Sequence, residues 1–595
     1  MGYWGLLTPP LPWPVIAVAF IAAAAFTVVL DQVKRVVRAG LALVALVKRR
    51  TVGAVDQCTA TGDCLGWYRL YGWEHSLAPS KFLQAAWRGC LRDNPACGGK
   101  ARAVGAAAFA ALMLAGCQAG PDFVRPPPPA VGSYVSGTTP SAFDAGSGEA
   151  AQRVVEGQAI PAAWWQLFHS PALDRTVRRA LDGNPGVDSA RATLAQAQQA
   201  VLQARGADYP QVDFAATAQR QQGPASILGQ QPGHSLPLYN LYTVGPIASF
   251  SPDVFGANAR RVEQQASLAQ YRAFELAAAQ LAVSGDVVTE AVTAASLRAQ
   301  IDATQEIIAG DDRNLALVQR KYAAGRTARS DVLIARAQLS NDSALLPPLR
   351  QQLAAAEDAL AILAGRFPAQ GALPRFALSD FTLPAELPLS VPSALVRQRP
   401  DILAAEAQLH AASAEVGVAS AQLYPDITLS ATLAGAALTP GALFGSSGTV
   451  WSVLGGVTAP LFHGGALRAQ KQQAIDALRA ADASYRQTVL QAFGQVADLL
   501  RALDHDARLV ADEHEALDVA RASLDLQRAG YAAGRTDVLH LLDAQRADQQ
   551  ARMGYTRALA QRDLDSAQLL VAMGGGWTED RALCAGCQDS GGKTP

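Results

Sequence analysis

Side chains that perform catalysis or bind metals occur in this chain of 595 residues without a recognisable arrangement. Its eight His are scattered, and no stretch reads H-E-x-x-H, G-x-S-x-G or as a glycine-rich phosphate loop. Cys584 and Cys587 form a single C-x-x-C, which is either a disulfide or half of a metal site. Without a second pair, we interpret it as part of an unstructured tail over 579–595. The sequence therefore predicts no enzyme, no metal site and no cofactor.

Cys117 ends a secretory pattern. Lys100 and Arg102 precede a compact apolar run, and small residues then lead to the Cys in L-A-G-C. This predicts a signal peptide over 100–116 and resembles the box of bacterial lipoproteins. The resemblance implies cleavage before Cys117, lipidation of Cys117 and, because Gln118 rather than Asp follows, transport to the outer membrane. A buried helix that ends in a chance Cys is the alternative.

The segments on either side of this signal differ from the rest of the chain. Residues 1–99 contain an apolar run over 15–30, and 16 residues is marginal for a membrane span. A short span, a long signal-like segment, a fused fragment and an upstream start codon all remain open for 1–99. Residues 117–160 are rich in Pro, Gly, Ser and Ala, which predicts a lipidated tether that is extended and mobile.

The hexapeptide Y-A-A-G-R-T occurs twice, at 322–327 and 531–536, which are 209 residues apart. Each copy ends a long Ala- and Gln-rich segment without Pro, and Asp-Val-Leu follows. Gly ends a helix well because it enters the left-handed conformation at little cost, and Thr or Asp begins the next helix. Each copy therefore predicts the tip of a helical hairpin. The chain is predicted to contain two copies of one unit, at 161–375 and 376–578.

Each predicted unit also contains two stretches with the alternation of a β-strand. Strands are predicted at about 212–218, 238–250, 427–433 and 451–461, long helices at 258–322 and 466–529, and return helices at 331–363 and 538–573. Asp331 follows its hexapeptide three residues later than Asp537 does, which predicts a longer first tip. Pro347 and Pro348 predict a kink or a break in the first return helix.

These elements together favour a membrane-associated fold. Strands of about ten residues with one apolar face suit a wall between lipid and water, and four strands cannot close a barrel alone, so several copies must share one. Helices rich in Ala, Gln and Arg suit a hollow cylinder with water on both sides. A cytosolic coiled coil is the alternative, but it leaves the signal and the strands unexplained. The net charge of −1 argues against a nucleic-acid partner.

Several motifs together resemble the outer membrane factor family, the TolC-like exit ducts, in the lipoprotein branch that serves resistance-nodulation-division efflux pumps. They are L-A-G-C at 114–117, G-P-D-F at 120–123, W-W-Q-L-F at 164–168, R-Q-R-P-D-I-L-A-A-E at 397–406, L-L-D-A-Q-R at 541–546 and G-G-G-W at 574–577.

The resemblance covers about 117–578 and implies a mixed α and β fold. In the implied homotrimer, each chain gives four strands to an outer-membrane β-barrel that a long periplasmic α-helical barrel continues. The implied function is a passive duct for drugs or toxic solutes. A periplasmic adaptor would connect it to an inner-membrane resistance-nodulation-division transporter. The exit duct of a type I protein secretion system is the alternative on the same fold, and no constellation favours an envelope enzyme.

The resemblance also implies a periplasmic gate near the tips. Matching forward from Gly534 places it at Tyr531, Leu539, Asp543 and Arg546. Leu539 and Asp543 share a helix face, so three copies would form an apolar ring and a charged ring, with Arg546 of the same or a neighbouring chain as counter-ion. A solvated Asp543–Arg546 pair without a gating role is the alternative. The residues expected to dock the adaptor are Gly325, Arg326, Thr327, Gly534, Arg535 and Thr536.

Overall fold

A computed structural model describes residues 118–137, 140–146, 151–222, 238–370, 374–445 and 448–576. The chain divides into two compact units. Cys117, the segments predicted before it and the tail with Cys584 and Cys587 lie outside the described residues. Within the described ranges, none of the helices combines the length and the hydrophobicity that a membrane span requires.

The four predicted strands, the two long helices and the two returns occur in the predicted order, together with three short strands that were not predicted. The strands are β1 (Ala142–Phe143), β2 (Gln152–Glu156), β3 (Gln211–Gln221), β4 (Tyr239–Phe250), β5 (Glu386–Leu389), β6 (Asp426–Ala437) and β7 (Thr449–Thr458). The helices are α1 (Pro171–Gly183), α2 (Pro185–Gly206), α3 (Ala257–Ala323), α4 (Arg329–Ser343), α5 (Leu346–Leu363), α6 (Pro392–Gln398), α7 (Pro400–Ala421), α8 (Ala466–Ala532) and α9 (Val538–Ala572). Both long helices, α3 and α8, contain 67 residues.

One unit contains a four-stranded antiparallel sheet in the order β3-β4-β6-β7. Its register places Phe214 opposite Pro246, Ala248 opposite Ala431 and Ala431 opposite Val453. Residues that lie directly opposite each other in antiparallel strands point to the same side of the sheet. The register therefore brings the alternating apolar positions of all four strands onto one continuous face. Members of this apolar face are Val212, Phe214, Val244, Ala248, Ile427, Leu429, Ala431, Leu433, Trp451, Val453 and Val457.

The apolar face is largely open to solvent in the single chain. Trp451 is 76% exposed, Val453 is 73% exposed and Phe214 is 61% exposed. The opposite face is mixed, since it carries Asp213, Thr217, Thr428, Ser430 and Ser452 beside Ile247, Val450 and Leu454. An uncovered apolar face needs an apolar medium or a partner on its side of the sheet.

The other unit contains the helices and a small sheet, in which β1 pairs antiparallel with β2 and β2 pairs parallel with β5. The prediction of a mobile tether through residue 160 was therefore wrong for β1 and β2. Phe143 is buried in the core, and the side chain of Gln152 is fully buried and donates to Ser566 Oγ at 3.3 Å. Because these buried contacts fix the backbone, a composition typical of a linker does not keep this segment mobile.

Three of the quoted motifs meet in the core of this unit. Trp164, in the W-W-Q-L-F turn, is 1% exposed and donates from Nε1 to Ser284 Oγ at 3.2 Å. Gly575 has a φ of 57°, which favours Gly, and a Cβ there would lie only 3.0 Å from Cδ1 of the Trp164 ring. Arg399, in R-Q-R-P, donates from Nη1 to the carbonyl of Ala572 at 2.6 Å. Contacts between residues that are distant in sequence thus hold the C-terminal end of α9 against the W-W-Q-L-F turn.

The proline pair has the predicted effect. Helix α4 ends at Ser343 and α5 begins at Leu346, with Pro in its first turn. A proline inside a helix lacks an N–H and its ring clashes with the carbonyl four residues earlier, so the helix stops and restarts there. The first return is therefore broken into two helices, whereas α9 forms the second return as one helix of 35 residues.

Candidate functional site at the helical hairpin tips

The two copies of the hexapeptide form the same helix-terminating turn. At the end of α3, Gly325 has a φ of 70°, its N–H donates to Tyr322 at 2.9 Å, and the N–H of Arg326 donates to Lys321 at 2.8 Å. At the end of α8, Gly534 has a φ of 72°, and Arg535 donates to Gly530 at 2.9 Å. This pair of bonds is the Schellman motif, which satisfies the last carbonyls of a helix.

The prediction that the first tip is longer was wrong. Residues 324–328 separate α3 from α4, and residues 533–537 separate α8 from α9, so each tip contains five residues.

The Asp residues that follow the two hexapeptides, Asp331 and Asp537, perform different roles. Asp537 is the N-cap of α9 and accepts from the N–H of His540 at 3.0 Å, a bond that lowers the pKa of its carboxyl. Asp331 lies inside the first turn of α4 and accepts from the N–H of Ala328 at 3.3 Å.

An apolar tip cluster packs the two hairpins together. Its buried members are Val318, Ala335, Leu524, Tyr531, Val538, Leu541, Leu542 and Ala544, from α3, α4, α8 and α9. At its edge, Lys321 Nζ lies 3.4 Å from the centroid of the Tyr531 ring and donates to the Tyr531 carbonyl at 3.3 Å. Burial raises the pKa of the Tyr531 phenol, and the negative charge of Asp331 adds to this shift. The tips therefore behave as one packed element.

The structure brings together three of the four residues predicted to form the gate. Leu539 is 49% exposed, Asp543 is exposed on the same face of α9, and Arg546 Nη1 lies 3.1 Å from Asp543 Oδ1 in the same chain. Tyr531 is separate from them, because it is 5% exposed and belongs to the tip cluster. The exposed stripe of α9 thus consists of an apolar residue followed by an ion pair.

Sequence reasoning missed the support behind Arg546. Its Nε donates to Gln338 Oε1 of α4 at 3.1 Å, and Gln338 is 8% exposed. The i,i+4 spacing of Gln338 and Asp342 was visible in the sequence. Their contact with α9 was not, because it depends on how the two return helices pack.

The residues predicted to dock a partner occupy both tips. Gly325, Arg326, Gly534 and Arg535 are exposed, whereas Thr327 and Thr536 are half-buried. Thr327 hydrogen-bonds to the carboxylate of Asp331, and the side chain of Thr536 packs over Gly530. The glycines and arginines therefore form the accessible surface of each tip, and the threonines stabilise its turn. Among the described residues, no group of His, Cys, Asp or Glu is arranged to hold a metal ion.

Comparison with known proteins identifies this architecture. The family model described as outer membrane efflux protein matches residues 176–366 and 391–575. Outer membrane protein OprJ of Pseudomonas aeruginosa is 32% identical over 482 residues, covering 80% of this chain and 96% of OprJ. The solvent efflux pump outer membrane protein SrpC of Pseudomonas putida is 29% identical over 473 residues, covering 79% of this chain and 97% of SrpC.

The fold agrees with this match. The solved structure of the outer-membrane channel OprN superposes with a TM-score of 0.70 at 26% identity, covering 78% of this chain and 100% of that chain. The resemblance inferred from the motifs is confirmed. The family consists of outer-membrane channels rather than enzymes, and this chain belongs to the outer membrane efflux protein family as an exit duct of tripartite efflux pumps.

Proposed function

We propose that three copies of the chain form one duct, with a twelve-stranded β-barrel in the outer membrane continued by an α-helical barrel in the periplasm. The observation that carries this proposal is the continuous apolar face of the four-stranded sheet, of which β3 and β7 are the edges. Unpaired strand edges are not tolerated in hydrocarbon, so the edges must pair with those of other copies. A barrel of twelve strands then presents the apolar face to lipid and the opposite, more polar face to water.

The long helices suit the water-filled part of such a duct. Helices α3 and α8 contain 67 residues each, which gives about 100 Å at a rise of 1.5 Å per residue. The two predicted repeats, 161–375 and 376–578, each contribute one long helix and one return. The two separate matches of the family model support this repeat.

The proposed cargo is a drug or another toxic small solute. SrpC is named for solvent efflux, and we extend that class to this chain. An inner-membrane resistance-nodulation-division transporter supplies the energy, a periplasmic adaptor docks on the exposed tips, and a lipid on Cys117 anchors the duct to the outer membrane. A deletion strain that becomes sensitive to organic solvents supports this assignment. A strain that instead loses a secreted protein points to the type I secretion alternative.

We further propose that Leu539 and Asp543 form the closed gate. Three copies of the exposed stripe of α9 around one axis place three Leu539 side chains and three Asp543–Arg546 pairs near each other. The apolar ring excludes hydrated solutes, and each Arg546 offsets the repulsion between the carboxylates. Docking of an adaptor on the tips would move α9 and separate these rings.

Planar-bilayer recordings test the gate. The wild-type protein should conduct little, and the double variant Leu539→Ala, Asp543→Ala should conduct much more. The matched control changes Leu526 and Asp525 of α8 to Ala, since Leu526 is 73% exposed and Asp525 also forms a pair with an Arg three residues later. If both double variants conduct like the wild type while remaining trimeric, the constriction lies elsewhere.

A further inference from the structure

Two acidic side chains are buried together between the first two helices of the tip region. Asp311 of α3 is 2% exposed and Asp342 of α4 is 5% exposed. Neither carboxyl oxygen of Asp311 accepts a hydrogen bond from a donor. Its neighbour is the carboxyl of Asp342, and two carboxyl groups can hydrogen-bond only when one of them holds a proton.

The hydrogen bonds around Asp342 assign that proton. Oδ2 of Asp342 accepts from Gln338 Nε2 at 2.8 Å, and Oδ1 accepts from Gln549 Nε2 of α9 at 3.3 Å. Both oxygens of Asp342 therefore act as acceptors, so the proton resides on Asp311. Burial raises the pKa of Asp311 to about 8, and the hydrogen bond and negative charge of Asp342 add to the shift.

A continuous chain of contacts connects this pair to the proposed gate. Gln338 donates to Asp342 and accepts from Arg546 at 3.1 Å, and Arg546 in turn lies 3.1 Å from Asp543. The amide of Gln338 can make both bonds only in one orientation, with its nitrogen toward the acid and its oxygen toward the guanidinium. A displacement of α4 would therefore carry Gln338 away from Arg546.

We propose that Gln338 and Asp342 are positioning residues for Arg546, and that the proton on Asp311, by keeping α4 packed against α3, keeps the gate pair in its closed arrangement. This inference rests on the proposed gate. Loss of the proton leaves two negative charges in one buried interface, which separates α4 from α3. Gln338 then moves away from Arg546, and the Asp543–Arg546 pair loses its fixed position.

The surroundings of the pair do not neutralise that second charge. Asp312, on α3 itself, adds negative charge. From α9, the Gln549 amide donates to Asp342, and the Arg546 guanidinium donates to Gln338. Asp342 and Arg546 also line a cavity of about 880 Å³, together with Arg557, which donates to Gln300 at 3.2 Å. This cavity leaves room for Gln338 to reorient.

Conductance as a function of pH tests this coupling between the buried Asp311–Asp342 pair and the gate, which we call the relay. Between pH 7 and pH 9, the ionised share of Asp311 rises from about one tenth to about nine tenths for a pKa of about 8. The open share of wild-type channels should therefore rise up to about tenfold across this range. Asp311→Asn stays neutral and its amide can donate to Asp342, so this variant should stay closed at every pH. Gln338→Leu disconnects Arg546 and should conduct equally at every pH, at a level above the wild type at pH 7.

Asp506→Asn is the matched control. Asp506 of α8 faces Asp565 of α9, and burial, together with the hydrogen bond and charge of Asp565, raises the pKa of Asp506 to about 7. A raised carboxyl pKa adds stability below its unfolded value near 4, and that stability is lost as pH rises through 7. Asp506→Asn should remove this loss of stability at high pH. It should leave the conductance profile unchanged, because Asp565 lies 22 residues along α9 from Asp543, or about 33 Å.

The outcomes separate the relay from the gate. If wild-type conductance is flat from pH 6 to pH 9 while the Leu539, Asp543 double variant conducts more, the relay is refuted and the gate stands. The relay is also refuted if Asp311→Asn follows the wild-type profile. If the double variant does not conduct more, the gate is wrong. Hydrogen exchange in α4 then decides on the buried pair, because protection should fall with pH in the wild type and not in Asp311→Asn.

Discussion

Replacing Leu542 by Ala should release the two hairpin tips from each other. Leu542 is 1% exposed within the tip cluster, where a change from Leu to Ala costs about 2–5 kcal/mol through lost burial and the cavity left behind. Leu526 of α8 lies outside the proposed gate and is 73% exposed. The same change at Leu526 removes little buried surface and leaves no cavity, so it should cost less than about 1 kcal/mol.

Hydrogen exchange measures this difference locally. A loss of about 2.8 kcal/mol raises the opening equilibrium roughly a hundredfold, because 1.4 kcal/mol is a factor of ten. Amides in 533–549 should therefore exchange about a hundredfold faster in Leu542→Ala, whereas Leu526→Ala should exchange like the wild type. Equal protection in the two variants would refute the view that the tip cluster holds the hairpins together. Increased exchange along the whole of α9 would show that the effect is global and not confined to the tips.

Three further predictions concern the membrane, the core and the anchor. Val453→Lys places a charge on the apolar face and should cost about 2–4 kcal/mol in the bilayer, which reduces barrel assembly in membrane fractions, whereas Ser452→Lys on the opposite face should assemble normally. Arg399→Ala breaks the contact with the end of α9 and should cost on the order of 3 kcal/mol, seen as a lower melting temperature. Cys117→Ser should yield a precursor without lipid, and mass spectrometry that finds Cys117 unmodified in the wild type contradicts the anchor.

Local signals in the sequence determined most of the secondary structure. Proline-free Ala- and Gln-rich stretches gave α3 and α8 to within a few residues at each end, since helix propensity and the absence of breakers act locally. The alternation in β3 and β6 predicted strands with one apolar face. The prolines Pro347 and Pro348 marked the break in the first return, because the missing N–H acts regardless of context.

Long-range packing decided which segments are buried and which Asp caps a helix, and composition alone could not predict either. Residues 117–160 have the composition of a linker, yet Phe143 and Gln152 are buried because β2 finds β5 more than two hundred residues later. The roles of Asp331 and Asp537 also differ despite their shared Asp-Val-Leu context. The helix starts at the same distance after both hexapeptides, so one Asp falls at the N-cap and the other three residues into the helix.

The two hexapeptides show most directly what the local sequence determines and what the tertiary structure determines. Their sequence alone determines the turn, because Gly at the fourth position takes the left-handed conformation in both copies. It does not determine the environment of the first residue, since Tyr322 is 47% exposed and Tyr531 is 5% exposed. The hairpins pack side by side in one order, so Tyr531 meets Lys321 and the tip cluster while Tyr322 faces outward. Identical local sequence therefore fixes identical backbone, and only the neighbours supplied by the tertiary fold decide which Tyr is buried.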